Sequence, residues 1–375
     1  MTHPTRPAAL DRQIQTGGAT VRLLARSGPA TRPDLTTELA ALHADLFVAV
    51  TGPGSAEAFA ADLPARAVRM DVPAAGTLRS VERLAERALA AGATRRSVVL
   101  GVGGGRAAHT AGLLAGLLFN GLRLVQVPGT LAAACGPALS LRHTVGSGVL
   151  GLWQAPELVF CPLDRLAAAS AGPADLVEAV RAVLAVSPAG YRPLAAALRP
   201  EGGYRPRELA AFLALCADAR AAVTRDDPLE RGPGRALGYG RTVGRAIRLL
   251  AGGALGEGPS EGLGMLVAAR IAVRLGLLPA EDEQAHRDLL RRAGLPVVLP
   301  PGVDPAGLAA AVPVAAARDG EDGLVLLTGL GRPHTGRGSL LTGVDDRALR
   351  AGAEAVRPTG VPHSRTSGVP APAER

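Results

Sequence analysis

Three short stretches group residue types that could handle a phosphorylated anion. The first, VVLGVGGGRAAHTAG over 98–112, runs an apolar segment into Gly103, Gly104 and Gly105 and then into helical periodicity. Bare backbone N–H groups at a helix N-terminus receive phosphate or pyrophosphate. The spacing is not G-x-G-x-x-G, so a tight strand-to-helix turn with no ligand fits equally well. The second, VPGTLAAACGPALSLRHTVG over 127–146, begins at a strand end, where open α/β sheets bind ligands. Arg142 and His143 are its polar residues, and a solvated loop is the plain alternative. The third, ERGPGRALGYGRTVGRAIR over 230–248, sets Arg241 and Arg245 four apart on one helix face. Cations at a helix N-terminus oppose its dipole, so this pair expects an anion or a carboxylate nearby. An exposed arginine face is the alternative.

Composition narrows the chemistry. The 375 residues include 41 basic ones, and every one is arginine. A chain without lysine forms no lysine Schiff base and has no Walker A site. The net charge is +8, but the arginines are spread along the chain without a block, so a nucleic-acid partner is not expected. Aromatics at 2% supply no stacking platform for single strands. Cys135, Cys161 and Cys216 are far apart, with no C-x-x-C to suggest a disulfide framework or a zinc ribbon. The N-terminus lacks an apolar signal core. The most apolar stretch, Ala111–Phe119, falls far short of the roughly 20 residues of a membrane span. A cytoplasmic protein with no membrane partner is expected.

Those motifs need elements to position them. Leu46–Val50, Ala67–Val72, Val98–Val102, Leu122–Val127 and Leu158–Cys161 read as strands, with helical patterns between most of them. Such alternation predicts βαβ crossovers and a mainly parallel sheet. From about Ala167 the periodicity is helical: 174–186, 206–225, 235–250, 260–277, 280–293 and 305–317. A small hairpin from 323–327 and 338–341 follows. The expected fold is α/β plus all-α: an N-terminal Rossmann-like parallel-sheet domain over 1–165, a helical domain over 166–355, and a disordered tail over 356–375 rich in Pro, Ser, Gly and Arg.

From about Leu46 to Ala355 the chain resembles the 3-dehydroquinate synthase-like sugar phosphate cyclases. The family's Gly-Gly-Gly-Val-Val-Gly-Asp loop corresponds to Gly103–His109, and its Val-Pro-Thr-Thr-Leu to Val127–Leu131. Its Gly-Leu-Ala-Glu-Val-Ile looks like Asp175–Val180. Its Asn-x-Gly-His-Thr-x-Gly-His-Ala-Ile looks like Gly238–Ile247, and its Gly-Met-x-x-Ala-Ala-Arg like Gly264–Arg270. Arg292–Pro296 fits as well. The ordered series is far more specific than any one element. The resemblance implies NAD bound between an α/β and a helical domain, zinc or cobalt held by one Glu and two His, a small anionic sugar phosphate as substrate, and a homodimer. It also implies transient oxidation of the substrate, loss of phosphate and ring closure. Gly103, Gly104, Gly105, His109, Thr130 and Arg79 fall at cofactor positions, and Arg142, Arg220, Arg241 and Arg245 at catalytic ones.

The departures fall on the chemistry. Of the three metal ligands only Glu178 remains; Arg241 stands at the first His, and the second falls near Glu257. A guanidinium offers no lone pair to a metal. Arg245 stands at the second His of the motif, and Arg79, Arg142 and Arg220 stand at lysine positions. His109 replaces the Asp of the glycine loop, and Ala75-Gly76 replaces a Gly-Glu at the adenosine ribose, weakening the acidic contacts to NAD. A bound zinc or cobalt is therefore not expected, while NAD remains a candidate. The first reading is a family fold with metal-dependent cyclase chemistry lost or altered, acting as a binding or partner subunit of a biosynthetic enzyme. The second is an active NAD-dependent cyclase, a 3-dehydroquinate synthase or related cyclitol synthase. In it Arg241, close to Glu178 and Glu257, takes over the ion's charge. The third, a metal-dependent polyol dehydrogenase of a neighbouring family, lacks the same ligands.

Overall fold

Apolar, β-branched runs become the central strands, buried on both faces, and helices such as the amphipathic Leu78–Ala90 and the apolar Gly105–Leu117 cover the sheet. The computed structural model describes residues 9–29, 31–59, 62–72, 76–146, 148–169, 172–336 and 338–358. The first half runs β1 (Ala9–Thr16), β2 (Ala19–Arg26), α1 (Thr31–Ala41), β3 (Phe47–Thr51), α2 (Ser55–Ala58), β4 (Ala67–Asp71) and α3 (Leu78–Ala90). It continues with β5 (Val98–Gly103), α4 (Gly105–Leu117), β6 (Arg123–Pro128), α5 (Leu131–Cys135), β7 (Arg142–Val145), β8 (Leu150–Trp153), β9 (Leu158–Pro162) and α6 (Leu163–Ala168). Seven strands form one sheet in the order β1-β2-β9-β6-β5-β3-β4. Only β1–β2 is antiparallel. The expected parallel sheet is present.

Two features depart from the expected elements. The β1–β2 hairpin precedes the first expected strand. Its outer strand ALDRQIQT is mostly polar, as an edge strand tends to be, with Asp11, Arg12 and Gln13 exposed and only Ile14 and Thr16 buried. Arg142 and His143 lie not on a solvated loop but on β7, which pairs with β8 as a separate antiparallel ribbon, Arg142 opposite Trp153 and His143 opposite Leu152. His143 is buried against α4, where a Cβ on Gly112 would overlap its ring.

The second half is helical: α7 (Val177–Ala185), α8 (Tyr191–Ala197), α9 (Pro206–Thr224), α10 (Arg241–Leu250), α11 (Glu257–Arg274), α12 (Ala280–Arg292), α13 (Pro305–Arg318) and α14 (Asp346–Glu354). Two small ribbons join it, β10 (Leu324–Val325) with β13 (Leu341–Thr342) and β11 (Leu327–Gly329) with β12 (Arg332–Pro333). The segment expected as a tail begins later than 356. Val356 is buried, and its carbonyl accepts from Leu299 N at 2.9 Å. The rest of that expectation, from 359 on, lies outside the described residues. No helix among the described residues is long and apolar enough to cross a membrane.

Close approach of α10 to α11 sets the geometry used below. Gly240 starts α10 at φ 80°, and a Cβ there would lie 2.5 Å from Met265 N. A Cβ on Gly264 would lie 2.0 Å from Gly240 O, and one on Gly244 2.7 Å from Glu261 Cα. Side chains at these glycines would push the helices apart.

Candidate active site

The sheet reverses its strand order at β3, which has β4 on one side and β5 on the other. Crevices outside the carboxyl ends of strands at such a switch point are where open α/β sheets take ligands. Here β5 ends in Gly103 at φ 130°, a conformation that favours glycine. A Cβ on Gly103 would lie 3.1 Å from Gly52 N, just past β3. A Cβ on Gly129, just past β6, would lie 3.2 Å from Gly103 Cα. Three strand ends therefore meet through glycines, and α4 starts beside them with Gly104 at its N-cap. A Cβ on Gly104 would meet nothing within 4 Å, so the cradle is open there. Gly103, Gly104 and Gly105 thus form the strand-to-helix turn that the sequence suggested. The Thr130 hydroxyl caps α5 by accepting from Ala133 N at 3.2 Å. Arg79 is exposed on the first turn of α3.

Residues 136 and 137 join this turn to the helical half. A Cβ on Gly105 would touch Pro137 at 3.2 Å, and one on Gly136 would lie 3.2 Å from the Glu178 carboxyl carbon. Glu178 belongs to a cluster of four charged side chains. Arg181, one turn further along α7 and 1% exposed, approaches Glu178 Oε2 to 2.7 Å through Nη1. Its Nη2 donates to Glu261 Oε2 and its Nε to Tyr239 O at 3.0 Å. Arg241, first residue of α10, reaches Glu261 Oε1 at 3.3 Å and Glu178 Oε1 at 3.7 Å. Burial works against an ionised Glu261, but Arg181 and Arg241 outweigh it and hold its carboxyl below the usual range. Burial likewise opposes the charge on Arg181 and Arg241, and the two carboxylates keep both protonated.

This overturns one expectation. Glu257 does not face Arg241: its side chain is 73% exposed and its neighbour is Arg248 at 3.7 Å. Glu261 takes the inner place because one turn of α11 separates the exposed position from the buried one. The expected acidic partner for Arg241 and Arg245 exists for both, since Arg245 Nη1 lies 2.6 Å from Asp319 Oδ1.

Arg241 lines a crevice of about 330 Å³ between the β7–β8 ribbon and the helical half. Arg142 and Trp153 line it from the ribbon, and Arg231, Arg235 and Glu321 from the helical half. Arg235 pairs with Glu321 at 3.4 Å, and Thr242 Oγ1 donates to Glu321 at 3.2 Å. Burial, with Asp319 nearby, nevertheless raises the Glu321 carboxyl. Arg142 and Arg231 form no ion pair within 4 Å among the described residues, although the charge of Arg142 acts on the Glu321 carboxyl, and Arg231 stands 5.9 Å over the Trp153 ring. Arg220 and Arg245 do not line the crevice. Arg220 is buried and reaches it only through Glu230 at 2.6 Å, as Arg245 does through Asp319. His109 stands on α4 with its ring centroid 6.0 Å from that of His143, and its Nδ1 is buried with no partner. Burial, with the charges of Arg241 and Arg142, lowers its pKa from 6.5 to about 4, so the ring is neutral at pH 7.

Sequence reasoning missed Arg181, Glu261, Arg231, Trp153 and Glu321. One signal was available: Arg181 interrupts the apolar run of VEAVRAVLA, three residues from Glu178. Among the described residues no group of three or more His, Cys, Asp and Glu could hold a metal ion.

Comparison with known proteins identifies the fold and the family. Residues 70–172 match the 3-dehydroquinate synthase N-terminal family, and residues 176–314 match the 3-dehydroquinate synthase C-terminal family. The 2-deoxy-scyllo-inosose synthase of Streptoalloteichus tenebrarius is 36% identical over 294 residues, covering 74% of this chain and 76% of the relative. The enzyme of that name from Niallia circulans is 33% identical over 280 residues, 72% and 76% of the two chains. A crystal structure of 2-deoxy-scyllo-inosose synthase complexed with carbaglucose-6-phosphate, NAD+ and Co2+ superposes with a TM-score of 0.82 at 28% identity, over 92% of this chain and 99% of that one. The 2-epi-5-epi-valiolone synthase ValA from Streptomyces hygroscopicus shares the fold, with a TM-score of 0.74 at 19% identity over 88% and 96% of the chains. The two matched segments and these relatives show that the chain belongs to the 3-dehydroquinate synthase-like family of sugar phosphate cyclases.

Proposed function

We propose that the glycine turn at the end of β5 receives the pyrophosphate of a nicotinamide dinucleotide, that the crevice binds a small anionic sugar phosphate, and that the metal-dependent cyclase step of the family is lost or altered in this chain. The observation that carries the reading is the pair of guanidinium groups, Arg142 and Arg231, that line the crevice near Trp153 and form no ion pair within 4 Å among the described residues. Arginine forks suit phosphate oxygens, which accept two parallel N–H bonds. The solved relative whose structure contains carbaglucose-6-phosphate and NAD+ supports a hexose 6-phosphate as the first ligand to try.

Each residue then has a defined task. Gly103, Gly104 and Gly105 offer backbone N–H groups to a pyrophosphate. A bound nicotinamide supplies a reversible hydride acceptor. Arg142 and Arg231 hold the phosphate, and the Trp153 face fixes Arg231 in place. Arg241 donates hydrogen bonds to a substrate oxygen, while Glu261 and Glu178 orient it. His109 keeps an unpaired ring nitrogen beside the glycine turn, available to a hydroxyl or an amide.

Calorimetry with NAD and with a hexose 6-phosphate tests binding. Phosphate release from hexose 6-phosphate, sedoheptulose 7-phosphate and 3-deoxy-arabino-heptulosonate 7-phosphate, each with NAD, tests turnover. Binding without release supports the altered reading; release at rates usual for enzymes contradicts it. A non-catalytic partner subunit is the second reading. It draws on Val149 and Leu150, 60% and 57% exposed at the tip of the β7–β8 ribbon, beside half-exposed Trp153. Co-purification with an intact cyclase would support it.

A further inference from the structure

We propose that a guanidinium–carboxylate cluster, Glu178–Arg181–Glu261–Arg241, stands where the family holds its divalent metal, so that the crevice works with a fixed protein cation and no ion. The inference deepens the reading above and rests on it only for the crevice being a ligand site.

The donor set decides the matter. A tight zinc or cobalt site needs three or four nitrogen, sulfur or carboxylate donors converging on one point. The resemblance puts those donors at 178, 241 and near 257. Glu178 is the one that remains, and its two oxygens already face Arg241 at 3.7 Å and Arg181 at 2.7 Å. Arg241 has no lone pair to give. Glu257 faces solvent and Arg248 instead of Glu178. Among the described residues Glu261 is the other carboxylate ion-paired within the cluster, and both of its oxygens are engaged by the same two arginines. A dication placed between them would have to displace two guanidinium groups or lie against them, and like charges at such range repel strongly.

Charge arithmetic points the same way. Two arginines and two glutamates cancel, so the cluster needs no ion to balance it. Its depth is graded. Arg181 is 1% exposed and Glu261 7%, while Arg241 is 31% exposed on the crevice side. The buried pair therefore anchors the cluster, and Arg241 alone presents N–H groups to a ligand. Those donors can hold a hydroxyl or carbonyl oxygen. They cannot lower the proton affinity of that oxygen as a coordinated dication does. Glu261 is the residue that makes the exchange possible, because it lies between the two cations and keeps them together.

The test uses the full-length chain, expressed with added zinc and cobalt and passed through gel filtration. Plasma mass spectrometry should find well under one equivalent of either metal. The melting temperature should not move with EDTA, and added cobalt should give no visible absorption from a tetrahedral site. About one equivalent of retained metal, or a melting temperature that falls on chelation, overturns the proposal. Titration with a hexose 6-phosphate on the same sample separates the two claims. Absent binding in a metal-free protein would sink the functional reading alone. Tight binding in a protein that retains metal would sink this inference alone.

Discussion

Glu261 is the side chain on which the crevice's charge balance depends, and its neutral analogue should show it. Removing one partner from a buried charged network costs about 3–5 kcal/mol, because the remaining charges stay buried and uncompensated. Glu261→Gln should therefore lower unfolding free energy by about 3 kcal/mol or more in denaturant titration, whereas Glu257→Gln on the exposed face should stay within about 0.5 kcal/mol. Equal effects at the two positions would contradict the assignment. Titration adds a second prediction. Burial lowers His143 to about 3 and His286 to about 4, and burial with Arg241 and Arg142 lowers His109 to about 4. In the unfolded chain these rings titrate near 6.5, so the unfolded state takes up protons first as pH falls. The stability they supply is present above about 6.5 and is lost as pH falls from there to about 4 for His109 and His286 and to about 3 for His143. For His286 alone the loss is at most about 3 kcal/mol, at 1.36 kcal/mol per unit. Denaturation midpoints from pH 7 to pH 4 should fall accordingly, and a flat profile would contradict the buried neutral rings.

Helix placement explains why Glu261 could not be read from the sequence. The aligned spacing pointed to position 257, one turn earlier on α11, and only the tilt of α11 against α10 decides which turn faces inward. That tilt comes from glycines. A Cβ on Gly264 would lie 2.0 Å from Gly240 O, so Gly264→Ala must separate the helices. The expected cost is about 1–3 kcal/mol of overpacking, while Gly302→Ala, with open space around it, should be nearly neutral. Circular-dichroism melts of the two variants would check this, and similar melts would contradict the close-approach account. Strands β3, β5, β6 and β9 were legible because buried parallel strands read as continuous apolar runs. The edge hairpin β1–β2 and the β7–β8 ribbon were not, since β1 carries a run of three polar residues in place of an apolar one and β7 and β8 are only four residues each. The crowding of Arg241 and Arg245 at a helix start did announce carboxylate partners, although not which ones.

Across the whole molecule, the family and its two-part architecture were visible in the ordered motifs, while the crevice was not. Arg142, Trp153, Arg231 and Glu321 come from four separated segments, and no local pattern brings them together. The claim that unites them is a ligand pocket that keeps the family's anion-binding walls and replaces its ion with Arg241. Calorimetric titration of a hexose 6-phosphate into EDTA-treated protein in the presence of NAD tests that claim most directly. Saturable binding that is unchanged by prior chelation, and weakened about tenfold or more in Arg142→Ala through loss of one charge-assisted contact of about 1.5–3 kcal/mol, is the predicted result. Binding that appears only after zinc or cobalt is restored, and is indifferent to Arg142, would contradict it.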